Sequence, residues 1–131
     1  MTEESIRQPQ DLRIRTKHFA IRIIKLYSAM PKHVVAQTIG KQLLRSGTSV
    51  GAHIQEGFRA RSKAEYVSKL EGGLQELAET TYWMDLIVEA GVFSLSKLSR
   101  LMDEAKELNA VLTTCVKKAK ANLTANKPRK I

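Results

Sequence analysis

Cysteine is almost absent from this sequence. Cys115 stands alone, so no intramolecular disulfide can form, and a reducing compartment is the expectation. Proline occurs three times and glycine seven, which leaves long stretches free of the residues that break helices. Aromatic residues make up 5% of the chain, too few for a row of base-stacking platforms. No run approaches the roughly 18 apolar residues that span a membrane, and the period-two alternation of a half-buried strand is missing throughout. Glu3 and Glu4 open the chain with no apolar block before Asp11, which argues against a secretory leader and for a cytoplasmic location.

Chemistry-bearing patterns are missing too. His18, His33 and His53 are scattered, and no histidine or cysteine pair has metal-ligand spacing. Glu65, Glu76 and Glu79 share a helical segment, but the Glu-X-X-His units of a di-iron bundle do not accompany them. No Ser-His-Asp set, phosphate-cradling glycine loop or nucleophile elbow can be traced. We expect no metal, no cofactor and no enzymatic activity.

What the chain has in quantity is positive charge. Its 22 lysines and arginines against 13 acids give a formal charge of +9 and a pI near 9.9. Two readings fit that charge alone: an anionic partner, nucleic acid before membrane, or a soluble protein with a basic exterior. At 131 residues, one domain can bury its own core without metal or disulfide staples.

Residues 1–10 read as an arm, 11–124 as a helical bundle and 125–131 as a basic tail. In the first helix Leu12, Phe19, Ala20, Ile23, Leu26, Tyr27 and Met30 recur at helical spacing until Pro31 ends it. Its remaining surface is cationic, with Arg13, Arg15, Lys17, His18, Arg22 and Lys25. The second helix runs from Val34 to about Phe58, and Gly57 is a plausible stop. Ser62 and Glu65 have capping-box spacing, in which each side chain satisfies the other residue's free N–H, and they start a third helix that reaches Ala90. Its apolar stripe reads Leu70, Leu74, Leu77, Thr81, Met84 and Val88. The same helix is the acidic element of the chain, with Glu65, Glu71, Glu76, Glu79, Asp85 and Glu89 against Lys69. Gly91 closes it and Ser94 is placed to cap a fourth helix, whose stripe is Leu98, Leu101, Ala105, Leu108, Leu112, Cys115 and Ala119. Cys115 on that stripe reads as a small buried hydrophobe. No acid follows Asn109, while Lys117, Lys118 and Lys120 accumulate toward the tail. Four amphipathic helices joined by short turns imply an all-α, antiparallel up-down-up-down four-helix bundle.

The segment from Gln42 to Gly57 is the most distinctive. Leu43, Gly47, Val50 and Ile54 form one stripe, and Arg45, Ser49, Ala52 and Glu56 form another. A glycine inside a helix costs about 1 kcal/mol relative to alanine, so Gly47, Gly51 and the Gly72-Gly73 pair call for an offsetting gain. Close approach of a second helix supplies one. Arg45 and Glu56 read first as residues that bridge to a neighbouring helix and only second as a functional site.

On these residues the chain resembles the four-helix-bundle proteins encoded within 23S ribosomal RNA intervening sequences, relatives of the accessory variability determinant proteins of diversity-generating retroelements. The family signature of serine, an apolar residue, then Gly/Pro-Ala/Ser-Asn-apolar-X-Glu is matched by Ser49-Val50-Gly51-Ala52-His53-Ile54-Gln55-Glu56, followed by Gly57. A second similar block comprises Ser62 to Tyr66, Glu76 to Trp83 and Glu89-Ala90-Gly91. His53 departs from the pattern, standing where the family usually has asparagine. The resemblance implies a non-enzymatic homo-oligomeric ring, commonly a pentamer, with a positive surface and nucleic acid as the suspected partner. It also leaves open a scaffold or accessory subunit for a protein such as a reverse transcriptase.

The functional expectation is therefore phosphate binding with little base reading. Arg13, Arg15, Lys17, Arg22, Lys25, Lys117, Lys118 and Lys120 are the candidate contacts. Arg45, Ser49, Gly51, His53, Glu56 and Gly57 are the motif residues, with a structural role favoured. RNA and DNA are not distinguished.

Overall fold

Four runs of helical periodicity become four helices in the structure, a computed structural model that describes residues 9–125. They are α1 (Pro9–Ser28), α2 (Val34–Phe58), α3 (Lys63–Glu89) and α4 (Leu95–Ala125), and no strand occurs among the described residues. α1 already includes Pro9 and Gln10, assigned above to the arm. Proline is tolerated in a first helical turn because its missing N–H would have no partner there. Residues 1–8 of the arm and 126–131 of the tail lie outside the described residues.

The helices pack in chain order, α1 on α2, α2 on α3 and α3 on α4, and the sparser contact of α4 with α1 closes the square. Neighbours run antiparallel: ascending α1 from Arg13 through Thr16 to Ile23 meets Phe58, Gly51 and Gly47 in descending order on α2. This is the up-down-up-down bundle that the periodicity calls for.

Local chemistry sets the ends. The His33 Nδ1 accepts from the Ala36 N–H at 3.3 Å and caps α2. Ser62 accepts from the Glu65 N–H at 3.1 Å, but the returning carboxylate bonds the N–H of Arg61 at 3.2 Å, one residue earlier than a reciprocal capping box has it. Gly91 ends α3 with φ +75, a conformation that disfavours side chains. The Ser94 hydroxyl lies against that of Ser96 at 3.0 Å rather than on a backbone N–H.

The core is one apolar cluster fed by all four helices, with Phe19, Ile23, Leu43, Ile54, Leu70, Leu77, Met84, Leu98, Leu108 and Leu112 fully buried. Two stripes differ in detail from the sequence reading. On α3 the deepest positions are Val67, Leu70, Gly73, Leu77, Thr80, Met84 and Ile87, while Leu74, Thr81 and Val88 flank them. The buried row includes a threonine and a glycine, which hydropathy alone passes over. The Thr80 and Ser46 hydroxyls lie 2.9 Å apart in the α2–α3 seam. On α4 the row steps from Leu112 to Val116, leaving Cys115 half-buried, where burial pushes its thiol pKa up and keeps it protonated.

The glycines of α2 work as the packing argument requires. A Cβ added at Gly47 would sit 2.7 Å from Ile23 Cγ1 and 2.8 Å from its Cγ2, and one at Gly51 would sit 3.3 Å from the backbone oxygen of Thr16. α1 therefore rests on bare α2 backbone. Across the square, Arg15 of α1 is 7% exposed and reaches α4, where Nη2 donates to Glu104 at 2.6 Å and to Glu107 at 3.0 Å, and Nε donates to Glu104 at 3.3 Å. The hydrogen bonds to Glu104 raise the arginine's pKa further.

Two predictions follow from these contacts. Gly47→Ala gains roughly 1 kcal/mol of helix propensity but overpacks the β-branched Ile23 at a cost of about 1–3 kcal/mol, so the urea midpoint should fall. A midpoint at or above that of the unmodified chain would show that the helices have room to spare. Arg15→Met should lower stability by about 1–3 kcal/mol, Lys17→Met should change it by less than about 0.5 kcal/mol, and the double variant Arg15→Met/Glu104→Met should recover part of the loss, as denaturant titration will show.

Candidate nucleic-acid interface

The cations of α1 fall into distinct environments. Arg13 lies beside α2 with its guanidinium carbon 4.9 Å from the centroid of the Phe58 ring. The cation is attracted to the ring face, and no described hydrogen bond engages the Arg13 guanidinium. One turn on, Lys17 is exposed. Between them and α2 runs an open groove of about 450 Å³, lined by Arg13, Lys17, Ala20, Thr48, Gly51, Ala52 and Gln55. The groove exists because Ala20, Gly51 and Ala52 offer a methyl group or less where the two helices meet. Thr48 and Gln55 add polar groups that the sequence reading did not single out, although both lie within one helical turn of Gly51 and Ala52.

Arg15 does not belong with these residues. Its spacing places it among the exposed cations, but it sits at the edge of the core stripe and is consumed by Glu104 and Glu107. Lys120 is likewise engaged, with Nζ 3.0 Å from Glu71 of α3. Arg22, Lys25, Lys117 and Lys118 are exposed, and among the described residues no ion pair engages Arg13, Lys17 or any of these four. The α4 pair is well separated in sequence from the α1 groove, and Lys117 and Lys118 are adjacent residues that a helix points in different directions.

Among the motif residues Arg45, His53, Glu56 and Gly57 tie α2 to α3, while Gly51 meets Thr16 of α1. Arg45 bonds Glu79 closely and Glu76 at 3.4 Å, and the Trp83 indole N–H donates to the same Glu79 at 3.2 Å. The hydrogen bond from Arg45, helped by that of Trp83, holds the Glu79 carboxyl below its ordinary pKa. Glu56 pairs with Lys69 at 3.1 Å. Ser49 turns its hydroxyl back onto the Arg45 carbonyl at 2.7 Å. Gly57 makes room for Leu70, whose Cδ1 would be 2.8 Å from an added Cβ. His53 lies over Gly72, where a Cβ would come within 2.9 Å of the ring, and its buried Nδ1 has no hydrogen-bond partner. The second glycine pair thus accommodates the imidazole as well as the backbone.

Beyond Glu65, which serves the start of the helix, the acids of α3 divide in two. Glu71, Glu76 and Glu79 are paired within the bundle, while Asp85 and Glu89 are exposed and take part in none of the described ion pairs. Among the described residues no group of three or more His, Cys, Asp or Glu side chains is placed to hold a metal ion. No described helix is long and apolar enough to cross a membrane.

Comparison with known proteins fits this arrangement. The 23S rRNA-intervening sequence protein family matches residues 10–114, which takes in α1, α2, α3 and most of α4. A crystal structure of a protein of unknown function from the S23 ribosomal protein family, from Bacteroides thetaiotaomicron, superposes with a TM-score of 0.79 at 31% sequence identity, over 83% of this chain and 97% of that one. No curated protein matches the chain. With the matched region spanning the bundle and the glycine-lined α2 at its centre, this chain belongs to the 23S rRNA-intervening sequence protein family.

Proposed function

We propose that the protein is a non-enzymatic homo-oligomer that binds nucleic acid through its phosphates. The observation that carries this reading is the α1–α2 groove, where Arg13 and Lys17 stand over small side chains. Phosphate binding needs donors on an approachable surface, and Ala20, Gly51 and Ala52 let a bulky backbone come near. Arg22 and Lys25 extend the positive surface along α1, and Lys117 and Lys118 add a second patch on α4. Tyr82 and Tyr27 do not line the groove, so bases have no platform and sequence preference should be weak. Repetition of the groove in a cytoplasmic ring, a pentamer being the family-based expectation, would turn weak contacts into avidity.

Fluorescence anisotropy with a structured RNA and a duplex DNA at low salt tests the proposal. Binding should weaken steeply with added salt, with log K falling by about 0.9 per log unit of salt for each phosphate neutralised on duplex DNA. Arg13→Ala/Lys17→Ala should flatten that slope by about 1–2, while Arg15→Met, whose charge is already occupied, should leave it unchanged. No binding above a neutral control protein would overturn the reading.

A further inference from the structure

α1 shows the solvent a face that a helix of a closed bundle has no need of. Ile14 is 54% exposed, Ile21 39% and Ile24 46%, and Ile14 and Ile21 lie two helical turns apart on the side away from the buried Phe19 and Ile23. Lys17 and Lys25 flank the stripe. Three exposed isoleucines on a single face are an unfilled apolar surface with a positive border, and among the described residues nothing covers them.

The opposite composition occurs on α3, the helix that does not touch α1 in the square. Ala78, Tyr82, Asp85 and Glu89 follow one another at steps of four and three and are all exposed, Tyr82 by 57%. Asp85 and Glu89 sit near the C-terminal end of their helix, where the backbone dipole is already negative and acidic side chains are disfavoured. Their place invites an external cation, because no described lysine or arginine of this chain meets them.

We propose that the isoleucine face of α1 docks on the Tyr82 face of α3 of a second copy of this chain, with Lys25 brought against Asp85 or Glu89. The two faces are complementary in shape class and in sign, apolar at the centre and charged at the border, as a specific contact requires. Because different surfaces of each subunit meet, the contact is head-to-tail: every bound subunit still offers one free face until the assembly closes. This inference rests on the oligomeric half of the reading above. Lys25 is then given over to protein contact, Lys17 stands on the border between the contact and the groove, and Arg13 remains for phosphate.

Light scattering on two surface variants tests it. Ile14→Glu/Ile21→Glu removes the α1 face, and Asp85→Lys/Glu89→Lys reverses the α3 face with substitutions that suit a helix C-terminus and so should fold at least as well. Circular dichroism confirms that each is helical. The unmodified chain should be an oligomer, each variant alone should run at the 14.7 kDa of one chain, and an equimolar mixture should give a capped dimer, since the first variant keeps its α3 face and the second its α1 face. An unmodified chain that is monomeric would overturn both the oligomeric reading and this contact. An oligomer that persists in both variants, or a mixture that stays monomeric, would overturn the contact alone. Should the glutamate variant fail to fold, persistence of the oligomer in the lysine variant by itself refutes the docking.

Discussion

The closeness of α1 to the backbone of α2 governs the rest of the molecule. With Gly47 under the Ile23 side chain and Gly51 against the Thr16 carbonyl, α2 contributes no side chain of its own at these two contacts with α1. Dispersion contacts fall off within an ångström of extra separation, so this proximity is worth more than the helix propensity the glycines forgo. The same small residues that let α1 settle also leave the shallow groove beside Arg13 and Lys17. Packing and the candidate anion site are two results of one choice of residue.

Charge is arranged to suit. A chain with a net charge of +9 pays self-repulsion when it compacts. The bundle answers by placing acids where helices meet: Glu104 and Glu107 take Arg15, Glu76 and Glu79 take Arg45, and Glu71 takes Lys120. The exposed pairs contribute little one by one. The nearly buried Arg15 is different, because it closes the sparse α1–α4 side where apolar contact is least. Exposed positive charge that no described ion pair engages remains along α1, toward the end of α4 and also at Arg59 and Arg61 between α2 and α3, with an acidic remnant on α3.

Most of this fold was legible in the residues. The extent of α2, the serine cap of α3, the glycine stop at Gly91 and the need for close approach at the helical glycines follow from local chemistry acting at fixed spacing, whereas Gly57, expected to stop α2, stays helical under Leu70 and the cap falls on Arg59. What was not legible depended on which neighbour a face meets. Arg15 shares its spacing with solvent-facing cations, and only the position of α4 shows that Glu104 waits opposite it. Val67, Thr80 and Ile87 replaced Leu74, Thr81 and Val88 at the centre of α3 because a helix between two neighbours buries the side that both can reach, not the side richest in leucine. The groove has the same origin, since alanines and a glycine on two helices become a depression only when those helices are set side by side.

Ser46 and Thr80 act as a pin between α2 and α3. Leucine and isoleucine would pack acceptably if one helix slid a turn along the other, because apolar contacts carry no direction. Sliding would separate the two hydroxyls and leave each with only a carbonyl of its own helix, Leu43 for Ser46 and Glu76 for Thr80, so one bond between the helices worth about 0.5–1.5 kcal/mol would be lost. A pair of small polar side chains, weak as adhesive, thereby selects one alignment among several that the apolar surface alone would accept.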